Sequence, residues 1–266
     1  MKNEIPDMIT KLLDDYYSSI NSFFGDKLLG VYVYNSLALG KFDENKSDID
    51  FITVLKTPLS KQELGLLSSM HKNLNIESPY GKKMEGMYIQ VNDLGKSNSQ
   101  ITPYPYFAGG KLNASGYYDI NYVTWWVLKH HGVEINSPKA CDLNFEVKWS
   151  NVLDTMDYNL NIYWKDKLNK NIVFLFDNWI EFSILTLCRI LFTLENKKIT
   201  SKVEGAKFSI EFLSSEWRLI IEEAIRIRES TSKDSLYASK IKRAKEAKKF
   251  IYYIINYCNK NYKLKS

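Results

Sequence analysis

Residues 28–55 read LLGVYVYNSLALGKFDENKSDIDFITVL. Leu28 to Tyr34 is β-branched and aromatic, the composition of a buried strand. Asn35-Ser36 breaks that run. Ser36 to Gly40 has room for one or two helical turns, a polar loop follows, and Asp48 to Leu55 reads as a second strand. Side chains alternate across a strand, so Asp48 and Asp50 share a face. Two carboxylates that close repel each other unless a cation lies between them. Their hard oxygens suit Mg²⁺, which typically completes its shell with substrate phosphates. Ser36 opens a helix, where unpaired N–H groups and the helix dipole favour an anion. An isolated D-x-D is usually a cap or a solvated edge. The surrounding strand, turn, helix and strand favour a phosphate cradle facing a metal-binding acidic pair, the arrangement needed for metal-assisted nucleotidyl transfer.

Outward from this stretch, residues 5 to 25 carry apolar residues at helical spacing. Lys61 to Leu74 is expected to be a helix and residues 84 to 91 (MEGMYIQV) a third strand. Lys96 to Gly116, with Pro103, Pro105 and Gly109-Gly110, reads as an irregular loop. A helix over 119–131 closed by Gly132 and a short strand at VEI follow. Beyond about residue 150 the pattern is helical throughout, over 151–168, 172–194, 206–228 and 236–262. The expected architecture is an α/β region over 1–150, a mixed sheet flanked by helices, and an all-α bundle over 151–266.

Composition narrows the function classes. The 266 residues are 45% hydrophobic and 25% charged, as in ordinary globular chains. No apolar run is long enough to span a membrane, and the acidic, proline-containing start lacks the apolar core of a signal peptide. Three scattered cysteines fit reduced thiols, so a cytoplasmic location is expected. The net charge of +5 is too mild for a dedicated nucleic-acid binder. Arginine is absent before Arg189, so any bidentate clamp on phosphate must come from the last third. His71, His130 and His131 have no acid or cysteine at ligand spacing, and Trp125-Trp126 reads as core.

The stretch LLGVYVYNSLALGKFDENKSDIDF resembles the hallmark of the polymerase-β-type nucleotidyltransferase superfamily, h-G-S-x-x-x-G followed by a loop and [ST]-D-h-D-h. Within it, the chain is most similar to the aminoglycoside adenylyltransferases that act on streptomycin and spectinomycin. MEGMYIQV places Glu85 where that family has a glutamate on a later strand. ILTLCRILFTLENKKITSK places Arg189 and Lys202 on the family's arginine and lysine. One position departs from the pattern: Asn35 replaces the motif glycine, and asparagine is the next residue most tolerant of a left-handed backbone.

The resemblance implies roles for these residues. Asp48 and Asp50 hold Mg²⁺ against the phosphates of ATP, Asn35 and Ser36 form the turn beneath them, and Arg189 and Lys202 bind phosphate. Glu85 is either the general base or a third metal ligand. Asp177 and Glu181 are candidates for contact with a cationic, hydroxylated acceptor. The implied reaction is transfer of AMP from ATP to an aminoglycoside or aminocyclitol hydroxyl, with release of pyrophosphate. Neither nucleic acid nor membrane is expected as a partner, and the chain is expected to act as a monomer. Two alternatives stand beside this reading: a nucleotidyltransferase for another small-molecule or protein hydroxyl, and a nucleotide-binding homologue weakened by Asn35.

Overall fold

A computed structural model describes residues 5–170 and 172–264. The chain divides into two compact units between Lys148 and Trp149.

The first unit is built on a six-stranded mixed sheet in the order β5-β4-β3-β2-β1-β6. Its strands are β1 (Leu28–Val33), β2 (Ile49–Leu55), β3 (Met84–Gln90), β4 (Tyr104–Ala108), β5 (Lys111–Gly116) and β6 (Val133–Ile135). Only β2 and β3 run parallel; the remaining pairs are antiparallel. The parallel step needs a crossover, supplied by α3 (Lys61–Glu77). This helix starts at a complete capping box, with Ser60 and Glu63 each satisfying the other's backbone N–H.

Alternation sorts the sheet's side chains. Val31, Val33, Ile49, Phe51, Met84 and Tyr88 face a core shared with α1 (Asp7–Phe24) and α3. Helix α1 contributes Ile9, Leu12, Leu13, Tyr16 and Ile20, and α3 contributes Leu67, Met70 and Leu74. A polar chain crosses this core. Tyr16 Oη lies 2.6 Å from Thr53 Oγ1 and donates to Tyr88 Oη at 3.0 Å, and His71 Nε2 lies 2.5 Å from the same Tyr88 oxygen. The His71 ring stacks on Phe107 at 3.7 Å. The intervening residues of the strands, among them Asp50, Ile52 and Val54 on β2 and Glu85, Met87 and Ile89 on β3, point to the opposite face.

The segment from Lys96 to Gly116 departs from the expected loop. It contains the antiparallel hairpin β4–β5, whose two-residue turn is Gly109-Gly110 at φ 58° and 73°. Such a turn needs positive φ at both positions, which glycine supplies without a steric cost. The prolines that suggested irregularity sit where the strand tolerates them. Pro103 precedes β4, and Pro105 lies at a register shift between Tyr104 and Tyr106. Helix α2 (Asn35–Ala38) is a single turn, and α4 (Tyr122–His131) is capped by the Asn121 side chain and stops at Gly132. Trp125 is fully buried, with its indole N–H donating to the Lys96 carbonyl at 2.7 Å.

The second unit is helical. Helix α5 (Trp149–Tyr158) continues through a π-helical turn (Asn159–Trp164) into the short α6 (Lys165–Lys167). Helix α7 (Asp177–Asn196) is the central element, and eleven of its residues are buried. The single helix expected over 206–228 is two, α8 (Lys202–Phe212) and α9 (Arg218–Glu229). Serines punctuate this region: Ser201 caps α8, and Leu213-Ser214 breaks the path before α9. Helix α10 (Lys240–Asn261) buries Ala247, Phe250, Ile251, Ile254 and Cys258. Among the described residues, no helix is long and apolar enough to cross a membrane.

Candidate active site

The acidic group forms where the parallel pair β2–β3 begins. Asp50 pairs in register with Glu85, so the two carboxylates stand side by side on the face away from α1 and α3. Asp48 precedes β2 by one residue and is exposed. The strand β1 ends beside them, with the Tyr34 N–H donating to the Asp50 carbonyl at 3.1 Å. The chain then turns at Asn35, whose φ is 52°. The left-handed turn is therefore made with asparagine where the superfamily pattern has glycine. The Asn35 side chain hydrogen-bonds to the Asp50 carboxylate. Ser36, half-buried, follows in α2.

Asp50 carries the electrostatic strain of the site. Loss of hydration pushes its carboxyl well above the usual range, and the negative charges of Asp119, Asp48 and Glu85 push the same way, while the Asn35 hydrogen bond opposes them. Asp119 belongs to no local motif of the sequence. It stands just before α4, 34 residues beyond Glu85, at φ 42°, and it accepts a hydrogen bond from Tyr34 Oη at 2.8 Å. Its only sequence signal was an aspartate before a capped helix, which ordinarily means a turn.

Glu85 is held at both oxygens. Its Oε1 accepts the Gly109 N–H at 3.0 Å, and its Oε2 accepts a short hydrogen bond from Tyr118 Oη. Tyr118 is itself fixed. Its ring stacks on Tyr106 at 5.2 Å and 5°, and its N–H donates to Tyr104 Oη at 2.7 Å. The β4–β5 hairpin therefore positions Glu85, through its glycine turn and its tyrosines.

Among the described residues, no three His, Cys, Asp or Glu side chains stand together as a ready metal cage. The donor chemistry nevertheless fits a hard cation: Asp50 is pushed toward its protonated form first by burial and then by the charges of Asp119, Asp48 and Glu85, all of which a bound cation would relieve. Asp48 and Asp50, with Glu85 beside Asp50, would be the residues to hold it.

The remaining expected site residues lie in the second unit. Arg189, half-buried on α7, and Lys202, the first residue of α8, are close enough for the arginine's charge to act on the lysine. Glu181, also on α7, meets Lys202 Nζ at 3.5 Å and Arg228 Nη1 at 3.2 Å. Arg228 was not singled out in the sequence, because it sits in the charge-rich run EEAIRIRE, which reads as helix surface. Asp177 is engaged elsewhere, accepting Arg243 Nη2 at 2.6 Å. The two acids proposed for the acceptor therefore have separate cationic partners.

Comparison with known proteins gives two findings. Residues 166–256 match the family model of the aminoglycoside adenylyltransferase C-terminal domain. The resemblance to the aminoglycoside nucleotidyltransferases is borne out. The fold matches the crystal structure of a spectinomycin adenyltransferase from Enterococcus faecialis with ATP and spectinomycin, at a TM-score of 0.65 and 16% identity over 92% of this chain and 97% of that one. At that identity the likeness is one of fold. Residues 166–256 are thus similar to the C-terminal domain of the aminoglycoside adenylyltransferases, and the fold to that of the spectinomycin enzyme. No protein of curated function matches the sequence.

Proposed function

We propose that this chain transfers AMP from ATP to a hydroxyl of an aminoglycoside or aminocyclitol antibiotic of the streptomycin or spectinomycin type, releasing pyrophosphate. The observation that carries the proposal is the in-register pairing of Asp50 with Glu85, beside Asp48 and the Asn35-Ser36 turn. The C-terminal domain match supports the acceptor class, and the similar structure that holds ATP and spectinomycin supports the two substrates.

In this reading Asp48 and Asp50 hold Mg²⁺, which supplies charge neutralisation at the phosphates. Ser36 offers its hydroxyl and N–H to a phosphate oxygen. Arg189 and Lys202 are cations of the second unit suited to binding phosphate oxygens and to favouring the charge that develops on a leaving pyrophosphate. Glu85 takes the proton of the acceptor hydroxyl as its oxygen attacks the α-phosphorus. Its fixed hydrogen bonds to Gly109 and Tyr118 suit a base, which must be aimed before reaction. The acceptor's ammonium groups favour approach to a site bearing this surplus of carboxylates.

The test is pyrophosphate release from ATP and Mg²⁺ with streptomycin, spectinomycin or lincomycin as acceptor, alongside Glu85→Gln. Release that depends on streptomycin or spectinomycin and is lost in Glu85→Gln supports the reading. Release with lincomycin alone transfers the activity to another acceptor class, and ATP binding without release under any condition points to a nucleotide-binding protein.

A further inference from the structure

The second unit holds cations on carboxylates in two contrasting ways. Glu223 is fully buried and accepts five hydrogen bonds: Arg226 Nε at 2.8 Å and Nη2 at 3.0 Å, Arg243 Nη1 at 2.9 Å, Ser235 Oγ at 2.7 Å and the Leu236 N–H at 3.0 Å. That carboxylate belongs to the fold. The Glu181 side chain is 17% exposed, and a single oxygen, Oε1, meets both Arg228 and Lys202, at 3.2 Å and 3.5 Å. Both separations exceed the ~2.7–2.9 Å of a tight charge-assisted bond. Three separate elements, α7, the start of α8 and the end of α9, converge on that oxygen.

The cations are crowded. Burial lowers the Lys202 pKa, Glu181 opposes that shift, and Arg189 and Arg228 add to it by repulsion. One carboxylate oxygen is a poor match for Lys202 and Arg228 together. A ligand with several charged oxygens is a better one, because each cation can then have its own acceptor. A polyphosphate meets that requirement and orthophosphate meets it less well.

We propose that Glu181 is an internal stand-in for phosphate: it gathers Lys202 and Arg228 in the nucleotide-free protein and yields both to the polyphosphate, making Arg228 a further phosphate-binding cation. This rests on the nucleotide reading above. Glu181 then also sets selectivity. A ligand must displace it and tolerate its charge nearby, which favours a polyvalent phosphate over a small anion.

The experiment is titration calorimetry of the full chain with inorganic tripolyphosphate, orthophosphate and ATP, without Mg²⁺ so that the acids of the first unit do not contribute through metal. Wild type, Glu181→Gln and Arg228→Gln are compared, and thermal melts verify that each variant is folded. Arg228→Gln is expected to weaken tripolyphosphate about tenfold, the scale of one lost charge-assisted contact. Glu181→Gln is expected to tighten it several-fold and to narrow its preference over orthophosphate. Weaker binding in Glu181→Gln makes the glutamate a mere prop for the cations and overturns the inference. So does unchanged binding in Arg228→Gln while wild type binds ATP. A wild-type chain that binds neither ATP, with or without Mg²⁺, nor tripolyphosphate removes the nucleotide reading itself.

Discussion

Asn35 shows how one residue can satisfy two demands. Its backbone takes the left-handed turn that the motif glycine ordinarily provides, and its amide is hydrogen-bonded to Asp50. Asp50 is the strained partner, dehydrated and faced by three other acids. Asp50→Asn is therefore expected to abolish pyrophosphate release while raising the melting temperature, because the amide removes a charge that the folded state disfavours. Loss of activity with a lowered melting point contradicts that account. Tyr118 acts through Glu85 and not on the substrate itself in the proposed mechanism. Tyr118→Phe keeps the ring stack on Tyr106 and deletes one hydrogen bond to the glutamate. Its kcat is expected to fall about tenfold or more, the scale of one charge-assisted bond, with KM for ATP unchanged. An equal effect on both constants would assign the tyrosine to binding.

At the scale of elements, the site depends on how closely β2 and β3 approach. A Cβ at Gly86 would lie 2.2 Å from the Phe51 carbonyl oxygen, so the strand pair closes only around a glycine there. Gly86→Ala is expected to destabilise the first unit by about 1–3 kcal/mol, the usual cost of overpacking, and to lower turnover by disturbing the Asp50–Glu85 pairing one residue away. Chemical denaturation and a turnover assay together measure both effects. The strand–turn–strand over 28–55 was legible because apolar period and motif spacing agree there. The hairpin over 104–116 was not. Pro103 and Pro105 outweighed the two-glycine turn in a local reading, and only the pairing of β4 with β3 and β5 gives those prolines a tolerated place. The same limit hid Asp119 and Arg228. Each is brought to its cluster by the path of the chain over tens of residues, and neither stands in a local pattern that differs from a turn or a helix surface.

At the scale of the molecule, the two units carry different acid-sensitive groups in their interiors. In the first, burial lowers the His71 pKa to about 3. The unfolded state then binds one more proton between pH ~6.5 and that value. Stability is lost as pH falls through this window, at a slope approaching ~1.4 kcal/mol per pH unit. In the second, burial pushes the Glu223 carboxyl up, but hydrogen bonds from Arg226, Leu236, Ser235 and Arg243 more than offset it and leave the pKa at about 2. Its contribution is full above the unfolded value near 4.5 and is lost as pH falls toward 2. In Asp50→Asn, where protonation of the strained carboxylate no longer offsets the loss, acid titration followed by urea denaturation is expected to show the first unit weakening from about pH 6 and the second only below about pH 4.5. His71→Gln should flatten the upper part of that curve. A curve unchanged in His71→Gln would place the acid sensitivity elsewhere.

The three cysteines turn this difference between the units into something countable. Cys141 is exposed in the first unit, whereas Cys188 on α7 and Cys258 on α10 are buried in the second, and burial pushes both of those thiols up to about 12. A disulfide reagent added to the native protein should therefore release one equivalent of chromophore quickly, and the remaining two only as the helical unit opens. The slow phase is a clock for that opening, read without any engineered label, and substrate that tightens the second unit should slow it.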